Sequence, residues 1–146
     1  MKRIYVATSW RNYRQAEVVK MLRLHGHDVY DFRNPTPGKN GFSWKEIDPN
    51  YQEWSRIQYL KALEHPVAED GFWKDMTALE SADVVILLLP CGRSAHLELG
   101  WAVGAGKPTA IIEYGNHAAR SPELMYKMVD RVCISDAELQ LWIEGP

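Results

Sequence analysis

Apolar residues recur along the chain in short continuous runs separated by amphipathic stretches. Runs of this length and apolar content are typical of buried strands, and five are present, at residues 3–8, 28–32, 83–89, 109–113 and 131–134. The stretches between them have helical spacing. Strands that alternate with helices indicate an open, mostly parallel sheet with helices on both faces.

The boundaries of the helices are marked by capping and stop signals. Asn12 to Gly26 has Ala16, Val19 and Leu22 at helical spacing, with Gly26 as the predicted C-terminal cap. Further helices are predicted over 52–65 and 67–81. The remaining helices are expected to begin at Ser94 as N-cap, at Ser121-Pro122 with proline in first position, and at a capping box formed by Ser135 and Glu138.

The segment 33–54 interrupts this alternation. It is rich in proline and glycine, and Ser43 with Glu46 predicts at most one capped helical turn. Loops of this length inside a domain are usually functional or disordered. Its aromatic residues argue against disorder. We therefore expect an aromatic-rich lid or partner-facing flap inserted in a single domain, residues 1–146.

Composition and charge exclude several classes of protein. The 146 residues carry a net charge of −2, which indicates neither a nucleic-acid polymer nor a membrane surface as partner. The longest apolar run, 84–89, is far shorter than the roughly 20 residues that cross a bilayer. No signal-peptide pattern precedes the first strand, and two cysteines predict no disulfide framework, so we expect a cytoplasmic protein. No metal or cofactor motif is present, and none is expected.

Ligands of parallel sheets bind outside the carboxyl ends of the strands, which decides which residues can share a site. Thr8–Asn12 follows the first strand, and Pro90–Glu98 follows the third. The 67–81 helix runs antiparallel to the next strand, so its N-terminal half lies at the same edge, and Asp75 of this helix is expected to be within reach. Asp83 starts the third strand and belongs to the opposite edge.

Glu98 has two interpretations. An acid near a helix N-terminus complements the helix dipole, which contributes roughly 0.3–1 kcal/mol. However, the helix that follows contains Gly100 and Gly104, and each glycine costs roughly 0.5–1 kcal/mol relative to alanine. Such a helix indicates that the sheet or a ligand approaches closely.

Three segments occur in a recognisable order. Tyr5–Arg11 has the sequence YVATSWR, Phe72–Met76 is followed by Ser81–Val85, and Glu98–Pro108 has the sequence ELGWAVGAGKP. In this order they resemble the nucleoside 2-deoxyribosyltransferases and related nucleotide N-glycosidases. The last segment is similar to their ELG-x-A-x-x-x-G-K-P motif, and the matches extend from residue 4 to about residue 112.

This resemblance implies a flavodoxin-like three-layer sandwich and cleavage, by hydrolysis or transfer, of the N-glycosidic bond of a nucleoside or nucleotide. Glu98 would attack the sugar C1′ and form a glycosyl-enzyme intermediate, with Asp75 as the acid/base partner of the leaving base. Tyr5 would orient the nucleophile, and Ser9 would line the pocket. Carboxyl groups suit both roles at an oxocarbenium-like centre. The family also implies a homo-oligomer whose neighbours help to close the site, and Trp101 fits such a contact.

The sequence departs from the family before the glutamate. Members that act on free nucleosides carry an acid there, whereas residues 91–96 contain none. Arg93, Ser94, Ser9 and Arg11, with helix N-terminal amides, are instead candidates to hold a phosphate, which favours a 5′-monophosphate substrate. The alternative for the two arginines is a solvated loop charge.

Other hypotheses stay open. TIR-type NAD-cleaving domains have a similar architecture and also use a helix glutamate, and a non-catalytic nucleotide-binding module needs no nucleophile. Trp10 is a candidate for stacking on a base. Cys91 with His96 is a weak candidate for a thiol nucleophile, because nothing in the sequence orients the histidine. His25 and His27 lie at a helix end and lack further metal ligands.

Overall fold

A five-stranded sheet, parallel throughout, forms the centre of the fold in this computed structural model, which describes residues 1–36 and 38–145. Its strands are β1 (Arg3–Ala7), β2 (Asp28–Tyr30), β3 (Val84–Leu88), β4 (Thr109–Ile112) and β5 (Arg131–Cys133). They lie in the order β2-β1-β3-β4-β5. The predicted sheet is confirmed, although each strand is one or two residues shorter than expected. Phe32, for example, lies in a turn beyond β2.

The described residues contain six α-helices and three short 3₁₀ helices. The α-helices are α1 (Gln15–Leu24), α2 (Arg56–Leu63), α3 (Pro66–Ser81), α4 (Arg93–Gly104), α5 (His117–Arg120) and α6 (Asp136–Glu144). The 3₁₀ helices are Trp44–Glu46, Tyr51–Glu53 and Leu124–Met128. In the part of the chain described, no helix has both the length and the apolar character needed to cross a bilayer.

Alternation along the strands divides the buried side chains between the two faces of the sheet. Ile4 and Val6 of β1 pack with the apolar faces of α1 and α6 in one continuous core. Tyr5, between them, projects to the other face, where α4 contacts β1, β3 and β4. The β2-β1-β3-β4-β5 order with helices on both faces is a flavodoxin-like three-layer sandwich, as predicted.

The predicted start of α1 is wrong by three residues. The Oδ1 atom of Asn12 accepts a hydrogen bond from the Arg14 amide at 2.9 Å, and this turn delays the helix until Gln15. The helix therefore buries Gln15 and Val18, while Ala16 is exposed. The C-terminal signal is where it was expected, because Gly26 has φ = 84° and follows the helix directly after His25.

The helix predicted from Ser121-Pro122 is also wrong. Helix α5 ends at Arg120, before this pair, and the next helical residues form the 3₁₀ helix Leu124–Met128. The Glu123 side chain accepts from the Met125 amide at 2.9 Å, which satisfies a backbone donor locally. A proline in first position permits a helix but does not require one.

Residues 31–80 form a separate compact unit from residues 1–30 and 81–146. It contains the predicted lid segment, of which Pro37 lies outside the described residues. Ser43 caps a helical turn as predicted, but it bonds the Lys45 amide and the turn is 3₁₀. The predicted 52–65 helix is divided, since Ser55 and Gln58 form a capping box that starts α2.

The aromatic side chains of this unit contact one another. The Trp44 ring lies 4.8 Å from Phe42, 5.7 Å from Trp54 and 6.3 Å from Tyr59 between centroids. The Trp54 indole donates to Asp48 Oδ2 at 2.8 Å. These edge-to-face contacts give the segment a small apolar core of its own. Whether it moves as a lid stays a prediction.

We expect Gly71→Ala to destabilise the protein by about 1–3 kcal/mol, because an added methyl group overpacks this site. A Cβ on Gly71 of α3 would lie 2.8 Å from the Phe42 Cβ atom. The matched control is Gly100→Ala in α4, whose Cβ would meet nothing within 4 Å and should gain about 0.5–1 kcal/mol from helix propensity. Urea unfolding of both variants measures the difference. Equal stabilities would contradict the Phe42 packing.

Candidate active site

The loops that follow β1 and β3 lie together at the carboxyl edge of the sheet. The Thr8 hydroxyl donates to the Leu88 carbonyl at 2.7 Å, and the Asn12 side-chain amide donates to the Pro90 carbonyl at 3.2 Å. Thr8 is 8% exposed and Asn12 is 4% exposed, so these hydrogen bonds are shielded from water. They hold the 8–12 loop against the residues that lead into α4.

Helix α4 starts two residues earlier than predicted. Gly92 is the N-cap, so Ser94 is the second helical residue and not the cap. Because Gly92 has no side chain, no side-chain group caps the first turn. Glu98 is consequently the sixth residue of the helix and lies in its second turn. The helix dipole acts mainly within the first turn, which weakens the dipole interpretation of this acid.

Glu98 faces the sheet and accepts a hydrogen bond at Oε2 from the hydroxyl of Tyr5. Tyr5 is 1% exposed, and the Glu98 side chain is half-buried between helix and strand. Burial raises the pKa of the Glu98 carboxyl from 4.5 to about 7, because desolvation penalises its charged form. The Tyr5 donor favours the carboxylate, but desolvation is the larger effect. This site therefore titrates near neutral pH, as an active-site acid or nucleophile does.

The sheet does not require the glycines of α4. A Cβ at Gly100 or Gly104 would meet no atom of the chain within 4 Å, and both residues are exposed. Close packing on the sheet is therefore wrong as the reason for these glycines. No contact among the described residues requires glycine at either position.

Three predicted binding residues lie in the turn after β1. Ser9 is half-buried, and its Oγ accepts from the Arg11 amide at 3.2 Å. The Asn12 amide donates to the Ser9 carbonyl at 3.0 Å and closes the turn. Trp10, which is 49% exposed, and Arg11 occupy the tip of this turn.

Arg93 and Ser94 are the first two residues of α4, and both are exposed. In the part of the chain that the structure describes, neither Arg11 nor Arg93 forms an ion pair with a carboxylate. Arg11 in the turn after β1, Arg93 at the start of α4 and the first amides of α4 therefore all lie at the carboxyl edge of the sheet. Such a set suits an anionic ligand group.

The two other acids considered in the sequence have different positions. Asp75 is half-buried on α3 and belongs to the 31–80 unit. Asp83 lies at the amino edge of the sheet, as expected, where its Oδ2 accepts from the Arg3 amide at 2.8 Å. Asp83 therefore closes the start of β1 and takes no part in the site.

Tyr30 and the hydrogen-bonding roles of Thr8 and Asn12 were not identified from the sequence. Tyr30 of β2 stacks on Tyr5, with ring centroids 5.4 Å apart and an interplanar angle of 16°. A usable signal was that Thr8 and Asn12 are polar residues directly after a buried strand, at the edge where loops converge. The Tyr5–Tyr30 contact depends on strand register, which local sequence does not determine.

Cys91 Sγ lies 3.7 Å from His96 Nδ1, a long contact with a nitrogen that is also bonded to the Gly92 carbonyl. Burial raises the pKa of the Cys91 thiol to about 12, so it stays protonated near neutral pH. His96 Nδ1 lies 2.8 Å from the Gly92 carbonyl, which makes this nitrogen the donor, and Nε2 accepts from the Tyr126 hydroxyl at 2.8 Å. His96 therefore joins α4 to the 124–128 segment.

Contacts within the chain, and not metal ligation, account for the histidine that follows α1. His27 Nδ1 accepts from the Lys2 amide at 3.3 Å, and burial lowers the pKa of His27. Among residues 1–36 and 38–145, no group of three or more histidine, cysteine or acidic side chains is placed to hold a metal ion.

Comparison with protein-family models and with curated proteins finds no match. Among solved structures, the chain is similar to a 2-deoxyribosyltransferase from Bacillus psychrosaccharolyticus, described as a biocatalyst for nucleoside synthesis. The TM-score is 0.64 at 16% sequence identity, and the alignment covers 94% of this chain and 89% of that chain. This likeness establishes a common fold over nearly the whole of both chains.

We expect Glu98→Gln to stabilise the protein increasingly as pH rises. Between pH 4.5 and about 7 the folded state holds a proton at Glu98 that the unfolded state has lost, so the parent loses stability over this range. The neutral glutamine avoids this loss. The gain should be near zero below pH 4.5 and reach about 1–3 kcal/mol above pH 8.

Urea unfolding of parent and variant at several pH values measures this gain. Glu46→Gln, at an exposed position, is the control for removal of one carboxylate. A stability difference that is the same at pH 5 and pH 8 would show that the carboxyl is not desolvated in the folded protein.

Proposed function

We propose that the chain cleaves the N-glycosidic bond of a nucleoside or nucleoside 5′-monophosphate, with Glu98 as the nucleophile. The observation that carries the proposal is the half-buried Glu98 carboxyl at the carboxyl edge of the sheet, hydrogen-bonded by Tyr5. Its pKa of about 7 leaves about half of the molecules ionised at neutral pH. Partial desolvation also removes water that would otherwise solvate the attacking oxygen.

The chemistry has two steps. A Glu98 oxygen bonds to the sugar C1′ while the C1′–N bond breaks, and its electron pair leaves on the base nitrogen, which takes a proton from a general acid. Water, or the nitrogen of a second base, then attacks C1′, gives its proton to the conjugate base of the general acid, and releases the Glu98 carboxylate. Asp75 is the proposed general acid, on the resemblance of its sequence segment alone. The use of water or of a base as acceptor distinguishes a hydrolase from a transferase.

A phosphate on the 5′ position would meet the basic groups of the two loops. Arg93 and Ser94 begin α4, Arg11 and Ser9 lie in the turn after β1, and the uncapped helix amides provide further donors. Trp10, which is 49% exposed in the turn after β1, is the proposed residue for stacking on a base. These features support a nucleotide over a free nucleoside.

The same proposal includes a homo-oligomer and a cytoplasmic location. Leu97 is 75% exposed and Trp101 is 38% exposed on α4, beside the open positions of Gly100 and Gly104. A second copy of the chain that covers this surface would explain both the apolar side chains and the glycines. The thiols of Cys91 and Cys133 are both free, which suits a reducing compartment.

We expect Glu98→Ala to abolish base release, because no nucleophile remains. Purified protein is incubated with nucleosides, nucleoside 5′-monophosphates and NAD, with and without an acceptor base, and free base is measured by chromatography. For the parent, kcat/KM should rise about tenfold between pH 6 and pH 8, since the ionised fraction of a group with a pKa of about 7 rises from about 10% to about 90%. Glu98→Gln is the isosteric variant, and Asp75→Asn tests the acid.

Each outcome of this assay is informative. Full activity of folded Glu98→Ala would remove Glu98 as nucleophile. Release of nicotinamide from NAD alone would favour the NAD-cleaving hypothesis. No release from any substrate would favour a nucleotide-binding module.

We expect Arg93→Ala to raise KM for a nucleoside monophosphate by about 10- to 100-fold and to change KM for the matching nucleoside little, because a charge-assisted hydrogen bond to phosphate contributes about 1.5–3 kcal/mol. Steady-state kinetics with both substrates measure the two effects. The control is Arg131→Ala, because Arg131 is the exposed first residue of β5 and lies away from these loops. Equal increases of KM for both substrates would contradict the phosphate site.

A further inference from the structure

Tyr5 and Tyr30 form a directly opposed pair on neighbouring strands. β1 and β2 are parallel, and their register places Tyr5 opposite Tyr30. Opposed residues of adjacent strands project to the same face of the sheet, so the two rings lie side by side. Their centroids are 5.4 Å apart and their planes differ by 16°, which is a stacked arrangement.

The position of the Tyr5 ring determines where its hydroxyl lies. That hydroxyl donates to Glu98 Oε2, and it lies at the far end of a side chain with two rotatable bonds. A small rotation of the ring therefore displaces the donor by a large fraction of a hydrogen-bond length, and hydrogen bonds weaken steeply with misalignment. The half-buried Tyr30 ring occupies one side of Tyr5 and limits this rotation.

We propose that Tyr30 is a positioning residue for Glu98: its ring, stacked on Tyr5, holds the Tyr5 hydroxyl against the Glu98 carboxyl. The inference deepens the proposed function and rests on it, since Glu98 is the nucleophile there. Tyr30 acts through its ring and not through its own hydroxyl. Its whole effect on Glu98 passes through Tyr5.

This role has a chemical consequence that a purely structural role lacks. The Tyr5 hydroxyl stabilises the ionised form of Glu98, because a hydrogen bond to a carboxylate favours the charged state. Loss of the stacked ring should therefore raise the pKa of Glu98 and also misalign the attacking oxygen. Misplacement of a reacting group by about 1 Å can cost about 100-fold in rate.

The test compares Tyr30→Leu, Tyr30→Phe, Tyr5→Phe and the Tyr5→Phe/Tyr30→Leu double variant. Tyr30→Leu and Tyr5→Phe should each lower kcat by about 10- to 100-fold and move the pH–rate profile to higher pH. Tyr30→Phe keeps the ring and should restore kcat to within about threefold of the parent and restore the parent pH profile. The double variant should be no slower than Tyr5→Phe, because residues that act through one contact are not additive.

Two controls separate positioning from loss of stability. Val29→Ala, in the same strand but buried on the opposite face, should lower the melting temperature without moving the pH–rate profile. If Tyr30→Leu does not fold, Tyr30→Thr, which keeps strand propensity, takes its place. A Tyr30→Leu variant that behaves like Val29→Ala in kcat and pH profile overturns the proposal.

A readout independent of turnover distinguishes this inference from the proposed function. The Glu98 carboxyl is titrated by ¹³C NMR in glutamate-labelled protein, assigned with Glu98→Gln. Tyr30→Leu should raise its pKa in the parent background and leave it unchanged in the Tyr5→Phe background. A rise of similar size in both backgrounds overturns the inference. A parent that titrates as expected but releases no base refutes the proposed function alone.

Discussion

The hydrogen bond from the buried Tyr5 hydroxyl to Glu98 is the constraint on which the geometry of the site depends. Tyr5 lies on a central strand, so its ring projects onto a face of the sheet that only a packed helix can cover. Because Glu98 points to this hydroxyl, α4 must bury the residues that share its helical face, which are Ala95, Leu99 and Ala102. The opposite face, with Leu97 and Gly100, is then exposed, and the first turn of α4 lies beside the loop that follows β1.

This arrangement places a destabilising group in the most stable part of the fold. β3, which is fully buried, and its neighbours supply the apolar contacts that keep α4 in place. Partial burial of a carboxyl group lowers stability at neutral pH, since the charged form loses hydration. The packed sheet edge offsets this loss of stability, and it holds the carboxylate poorly solvated and in a fixed direction. Functional sites commonly combine local strain or desolvation with such support.

The sequence predicted the sheet well and the loops poorly, for physical reasons. β3 and β4 are continuous apolar runs, so burial alone identified them. The predicted start of α1 was wrong because Asn12 bonds a nearby backbone amide and competes with helical bonds. The helix expected at Ser121-Pro122 was wrong because helical residues begin again only after Glu123, whose side chain caps the 3₁₀ helix Leu124–Met128. For the site, the resemblance of the ELG segment selected Glu98, and that of the Tyr5–Arg11 segment selected Tyr5. The stacking of Tyr30 could not be predicted, because it depends on the pairing of strands that are distant in sequence.

Three carboxylates at the edges of the sheet differ in their hydrogen-bond partners, and the difference bears on the proposed role of Glu98. At the amino edge, Asp83 accepts from the Arg3 amide at 2.8 Å. At the carboxyl edge, both oxygens of the buried Glu113 accept from the Ala118 amide, at 3.1 and 3.0 Å. Backbone donors occupy these oxygens and fix both groups in structural roles. Glu98 receives its hydrogen bond from a side chain on one oxygen, while its other oxygen has no partner among the described residues. A carboxylate held by a side chain at one oxygen and open at the other could form a bond to carbon without breaking a backbone contact, which is what the proposed role of Glu98 as nucleophile requires.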